Sequence, residues 1–233
     1  MKTRLFISLC LMAGLLASCM AAKDDYPERP PGEYFYPDGY QAGKTYTAIA
    51  TLKKTPGGIV YLQVNEDLRI YAENDGLAPL WKQSGGPARV YCQFHLIDKK
   101  PTSFYWAEIE WYEFVAMWDG SFVLDGGDDG LDIVDDWMTS LEDGFLTIHY
   151  SAWWGRGNIK HFIFLERDGL YTFRLIHEAN GDERIEKTDA LYCLNLDFIA
   201  DIFDEEHNTI TIKWKTCAGQ PAEKTFLFKG RED

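Results

Sequence analysis

Three histidines raise the first chemical question. His149, His161 and His177 fall in "FLTIHY", "IKHFIFLE" and "LYTFRLIH", successive stretches that read as strands by composition and alternation. If residues 151–158 and 167–170 each turn a hairpin, the three imidazoles stand side by side on one sheet face. That is a donor set suited to zinc, and it would support a metal-dependent hydrolase. A register slip of one residue scatters them to opposite faces. The alternative is three histidines packed on a partly exposed sheet. Glu178 points away by parity, so no carboxylate stands beside the row to polarise a metal-bound water.

The acidic stretch "DGGDDGLDIVDD", Asp125 to Asp136, is the second constellation. Asp125, Asp129, Gly130 and Asp136 match positions one, five, six and twelve of a helix-loop-helix calcium loop. Position three is Gly127, which offers no side-chain ligand, and Asp136 is shorter than the usual bidentate glutamate. A calcium site in another geometry would draw on Asp125, Asp128, Asp129 and Asp132. The alternative is a solvated, charge-swollen joint between domains.

The third is "WWGRGN". Trp153 and Trp154 precede a Gly-Arg-Gly turn, and with Arg156 they suit stacking on a sugar or gripping a peptide. The alternative is one tryptophan capping the core and the other exposed. Glu108 and Glu110 share one strand face, which alone is a weak glycosidase signal. There is no nucleophile elbow, phosphate-cradling glycine loop or HExxH, so no catalytic residue is assigned. No cofactor is implied unless the acidic loop takes Ca2+.

The elements that must position these residues read as strands almost throughout. "KTYTAIATLKK", the turn Thr55–Gly58, "IVYLQV", "ARVYCQFHLID" and "SFYWAEIEWYEFV" make about five short strands, fitting a small OB-type barrel. Within them Val90, Cys92, Phe94 and Leu96 share one face. Ala107, Ile109 and Trp111 share another, opposite Glu108 and Glu110. Residues 73–88 look loop-like, with room for one helical turn. Beyond the acidic stretch, "FLTIHY", "IKHFIFLE", "LYTFRLIH", "ALYCLNL", "TITIKWKT" and "EKTFLF" suggest an antiparallel sandwich. "LDFIADIF" reads as one short helix. The expected fold is all-β: an OB-like domain over 44–120, then a β-sandwich domain over 121–233.

The chain has 233 residues and a formal charge of −14, which disfavours nucleic acid as a partner. Ahead of the strands, Lys2 and Arg4 precede a twelve-residue apolar run, Leu5 to Leu16, too short to span a bilayer. "LLASC" follows. Leu-Ala-Ser-Cys resembles the lipobox of bacterial lipoproteins, in which the thiol is acylated and the peptide is cut before it. The resemblance implies a signal peptide over 1–18 and acyl chains on Cys19, the membrane partner. The alternative is an ordinary secretory signal cut a few residues later. Two or more chains anchor stably, whereas one does so only marginally. Residues 19–43, rich in proline, read as a tether. Lys23-Asp24-Asp25 within it resembles the lysine-plus-acid signal that sends some lipoproteins to the cell surface; the alternative is a solvated charge cluster. Of the remaining cysteines, Cys193 and Cys217 are near enough in sequence to bridge, or else Cys92, Cys193 and Cys217 are buried thiols.

Taken together the chain resembles the NigD-like lipoproteins, on "YTAIATLKKTPGGIVYLQVNE" in the first part and "DGFLTIHY", "IKHFIFLER" and "ITIKWKT" in the second. These are patterns of strand residues, so they carry fold rather than activity. The resemblance implies an N-terminal OB domain and a C-terminal sandwich. It also implies an outer-membrane, lipid-anchored location, facing the periplasm or the surface, and a non-catalytic binding or protective role. Immunity to a bacteriocin enters through the family's name. A glycan-binding accessory lipoprotein is the alternative. The partner is an unspecified protein, peptide or glycan.

Overall fold

In the computed structural model the described residues are 33–34, 43–65, 68–74, 76–97, 104–118 and 127–231. Cys19, Lys23, Asp24, Asp25 and Asp125 lie outside them. The barrel and the sandwich both belong to one unit spanning residues 32–233.

In chain order the first elements are β1 (Glu33–Tyr34), β2 (Thr45–Lys54), β3 (Val60–Asn65), β4 (Leu68–Ala72), α1 (Leu77–Ser84), β5 (Ala88–Leu96) and β6 (Phe104–Phe114). Sheet order β2-β3-β4-β6-β5 closes on itself through a β2–β5 pairing, which makes a five-stranded barrel. Closure leaves no free edge, which a sheet of this length must otherwise protect. Alternation sends Ala48, Ala50, Leu52, Val90, Cys92, Phe94 and Leu96 inside, with Leu62, Leu68 and Ile70. Residues 77–84 form two turns of helix where one turn was expected; Leu77 and Leu80 pack into the barrel core. Pro79 sits in the first helical turn, where its missing N–H is no loss. Inside the stretch expected to be a tether, β1 pairs in parallel with Tyr46 and Thr47 of β2.

One face assignment differs. Trp111 does not share the barrel interior with Ala107 and Ile109. The β5–β6 register shifts between Gln93 and Phe94: Gln93 faces Trp111, but Phe94 faces Ile109, leaving Glu110 as an extra residue. This bulge turns Trp111 to the outer face, where its Nε1 donates to Gln93 Oε1 at 2.9 Å.

The sandwich follows: β7 (Ala116–Trp118), β8 (Asp132–Ile133), β9 (Ser140–Glu142), β10 (Phe145–Trp154), β11 (Phe162–Arg167), β12 (Thr172–Glu178), β13 (Glu186–Asn195), β14 (Thr209–Lys215) and β15 (Pro221–Leu227). One sheet runs β7-β13-β10-β8 with β9 also on β10; the other runs β11-β12-β14-β15. The stretch expected to be a short helix is a 3-10 turn, Asp197–Ile202. Asp143-Gly144, with φ of 51° and 73°, joins β9 to β10 in a two-residue hairpin turn, the connection this dipeptide favours.

Parity along β10 organises the whole. Leu146, Ile148, Tyr150 and Ala152 face the sandwich core, against Ile163, Leu165, Phe173, Leu175, Ile210 and Ile212. Phe145 faces the other way and meets Ile49, Tyr91 and Val115 in the seam with the barrel, with Cys193 of β13. Arg89 crosses that seam. Its Nη1 donates to Thr51 at 2.9 Å and its Nε to Thr147 at 3.2 Å, while Nη2 has no partner. Burial pushes this guanidinium below its ordinary pKa.

Candidate functional site

The histidine row does not form. The "WWGRGN" loop does not turn a hairpin within one sheet. It carries the chain from β10 to β11 in the opposite sheet, and β10 pairs with β13 instead. His149 therefore faces out of the sandwich, with Nδ1 2.8 Å from Asp136 Oδ2. His161 and His177 are brought together across β11–β12, where Ile163 faces His177. His161 Nδ1 lies 3.1 Å from His177 Nε2.

Around that pair the structure assembles Asp182, which the sequence did not flag, with Trp154 and the Gly130 carbonyl. Asp182 Oδ2 lies 3.2 Å from His161 Nε2 and accepts from the Gly155 N–H at 2.7 Å; its Oδ1 accepts from the Glu183 N–H at 2.9 Å. Trp154 stacks flat on the His161 ring, centroids 3.8 Å apart. His177 Nδ1 lies 3.3 Å from the Gly130 carbonyl. The only hint in the sequence was the Asn-Gly-Asp turn at 180–182. The side chains of His161 and Asp182 are 1% and 2% exposed, so the cluster is sealed.

Burial pushes both imidazoles below their ordinary pKa, His177 to about 4. For His161 the Asp182 carboxylate works against that shift. Neutral, the two rings carry two N–H groups for three links: Asp182 to His161, His161 to His177, and His177 to Gly130. If His177 Nδ1–H donates to Gly130 and His161 Nδ1–H to His177, then His161 Nε2 meets Asp182 without a proton.

The acidic stretch does not gather into a calcium site among the described residues. Asp128 pairs with Lys215 at 3.7 Å. Asp129 accepts from the Ala179 N–H at 3.0 Å, and Asp132 pairs with Lys187 and accepts from the Cys217 N–H. Asp136 holds His149. The acids diverge because the segment is sewn in as structure. Asp129 N–H donates to His177 O at 2.8 Å and Leu131 N–H to Lys215 O at 3.0 Å. Gly130 permits this approach, since a Cβ there would lie 2.1 Å from the Thr216 carbonyl oxygen. Among the described residues no three His, Cys, Asp or Glu side chains are placed to hold a metal ion. The zinc reading loses its geometry because His149 stands apart from His161 and His177, and of the calcium candidates Asp128, Asp129 and Asp132 are held by other partners while Asp125 lies outside the described residues.

Trp154 is taken up by its stack on His161. Trp153 is half-buried, and Arg156 stands exposed at the turn. Of the two tryptophans only Trp153 remains placed for a ligand. Cys92, Cys193 and Cys217 are all free thiols, so the 193–217 bridge is absent. Burial lifts Cys92 and Cys193 to about 12, which leaves them inert at neutral pH.

A second polar region lies where barrel meets sandwich. It is a cleft of about 370 Å³ whose walls include Lys53 and Gln63 from the barrel and Glu142, Asp143, Asn208 and Lys229 from the sandwich. These residues are scattered over the whole chain, so no local pattern marks them.

Barrel, junction and sandwich define an all-β module, an OB-like barrel followed by a β-sandwich. Residues 116–228, beginning at β7, match the family model described as the NigD-like C-terminal beta sandwich domain. Solved structures share the fold. A NigD-like immunity protein from Bacteroides caccae is 18% identical with a TM-score of 0.52, over 83% of this chain and 99% of that one. A protein described as toxin-related from Parabacteroides distasonis is 18% identical with a TM-score of 0.61, over 79% and 94%. One described as a lipoprotein from Bacteroides fragilis is 9% identical with a TM-score of 0.53, over 81% and 100%. No curated protein matches the sequence.

Proposed function

We propose that this chain is a non-catalytic binding or protective module of the cell envelope, held to the outer membrane by acyl chains on Cys19 and related in role to the immunity protein it is similar to. The observation that carries the reading is the fate of the chemically capable side chains. His161, His177, Asp129 and Asp182 are spent on one another and on backbone groups, and His161 and Asp182 are sealed from any substrate. The match of residues 116–228 to the NigD-like sandwich model and the lipobox order of the leader support the same reading. Among the described residues no helix is long and apolar enough to cross a membrane, so in this reading attachment falls to the lipid.

Metabolic labelling with a palmitate analogue tests the anchor. The wild-type chain takes the label and sediments with membranes; Cys19→Ala takes none and is released. Protease shaving of intact cells tests the address. Wild type is digested, and replacement of Lys23, Asp24 and Asp25 by Ala protects it. A deletion strain that is no more sensitive to bacteriocin-type toxins than its parent overturns the protective role.

A further inference from the structure

The sandwich protects the edges of its two sheets unequally. In the first sheet the outer strands are β7, β8 and β9, each two or three residues long. In the second, β15 is an edge that opens with Pro221 and carries Glu223 and Lys224. Short strands, proline and charge are the devices that keep an edge from pairing with another chain.

The other edge of the second sheet, β11, is built differently. Among the described residues it pairs with β12 alone. It is six residues long, opens with Phe162, Ile163, Phe164 and Leu165, and takes up charge only at Glu166 and Arg167. Ile163 and Leu165 face the core, whereas Phe162 is 40% exposed and Ile159, just ahead of the strand, is 39% exposed. The outward N–H and C=O groups of such a strand are a template for a further strand.

The residues around β11 say which strand fits. Lys160 precedes it and Asp168 follows it, each four residues from Phe164. An antiparallel copy of the same strand, with Phe164 on the two-fold axis, sets Ile163 opposite Leu165, Phe162 opposite Glu166 and Lys160 opposite Asp168. Odd residues meet odd ones, so the cores of both copies stay on the same side of the joined sheet. This register pairs Phe162–Glu166 wholly within itself; moving the axis to Ile163 or Leu165 pairs one end of that run with residues outside it. Lys160 is available for the pair: its Nζ lies 5.3 Å from the Phe162 ring centroid, and it makes no ion pair among the described residues. Asp168 shares an exposed pair with Lys213 at 2.9 Å, weak enough at that exposure to be shared or exchanged. Opposite charges facing across strands favour a register, and here they close both ends of an apolar, self-complementary run.

We infer that β11 is the edge through which a second copy of this chain binds. The two copies join antiparallel over Phe162–Glu166, their two four-stranded sheets become one, and Lys160 of each copy stands against Asp168 of the other. This goes beyond the protective role proposed above and does not depend on it.

The test is sedimentation velocity of residues 19–233, unlipidated, from about 1 to about 200 µM in about 0.15 M salt, where the like net charge of two copies is screened beyond about 8 Å. A concentration-dependent shift from monomer to dimer is expected. Lys160→Glu and Asp168→Lys, both at exposed positions, each weaken it about tenfold, since two cross-strand pairs per dimer become repulsive. Mixed in equal amounts, the two variants recover it, because their heterodimer makes one pair as in wild type and one with the signs exchanged. Hydrogen exchange at 162–166 slows as the dimer forms. The inference is overturned if wild type stays monomeric at the highest concentration or if the single variants dimerise like wild type. It is equally overturned if their mixture does no better than either alone, or if the protection gained on dimerisation falls on β15 instead of β11.

Discussion

The two polar regions of this protein are built from similar residues and differ in how they are closed. At the loop end of the sandwich, His161, His177, Asp129 and Asp182 bond to one another and to backbone groups under a stacked Trp154. At the barrel junction, Lys53, Asp143, Glu142 and Lys229 form ion pairs along an open cleft. The first cluster is dense in sequence and is structural. The second is dispersed in sequence and has room for a ligand. A cluster of chemically capable residues thus marks a site only when some of its bonding capacity faces a space that a ligand can enter.

The largest blow to this contrast is Gly130→Ala. The added Cβ meets backbone atoms that cannot turn away, Thr216 O at 2.1 Å and Thr216 C at 2.6 Å. A loss of more than about 3 kcal/mol in urea unfolding is expected, because the segment that seals the histidine cluster must lift off. A loss under about 1 kcal/mol would mean that the segment is not part of the seal.

Acid comes next. His177 titrates near 4 when folded and near 6.5 when unfolded. Between those values the unfolded chain binds the extra proton, so stability is full above about pH 6.5 and falls as pH drops toward 4. The total is ~3 kcal/mol from this group, and His161 shifts in the same direction. Urea midpoints at pH 7 and pH 5 should separate, and the separation should shrink in His177→Gln. An equal separation in both proteins would assign the acid sensitivity elsewhere.

The smallest effects lie at the junction. Lys53→Met leaves the Asp143 carboxylate, nine-tenths buried, without its cation and should cost about 2 kcal/mol. Asn208→Ala, on the rim of the same cleft, should stay within about 0.5 kcal/mol. Similar costs for the two would erase the distinction between the frame of the cleft and its exposed rim.

Alternation made much of the fold legible. Val90, Cys92, Phe94 and Leu96 line the barrel as their spacing predicts, and the strands beyond residue 140 form the two sheets of the sandwich. Trp111 escaped because a bulge adds one residue and inverts parity beyond it, which local composition does not announce. The histidine row escaped for a different reason. A connection such as the one from Trp154 to Phe162 looks the same whether it reverses within a sheet or crosses to the facing one. The acidic stretch matched part of a calcium pattern, but its backbone is bonded to β12 and β14 and its acids point to different partners.

By itself, the sequence determined most of the strand faces and the turn at Thr55–Gly58, because each depends on neighbours a few residues apart. Only the tertiary structure decided that β10 pairs with β13, that His149 parts from His161 and His177, and that Lys53 meets Asp143 ninety residues away. Strand pairing across long loops depends on burial summed over two whole sheets. No single stretch of chain carries that sum, so the residues that close one polar cluster and leave the other open come together only when both domains are packed.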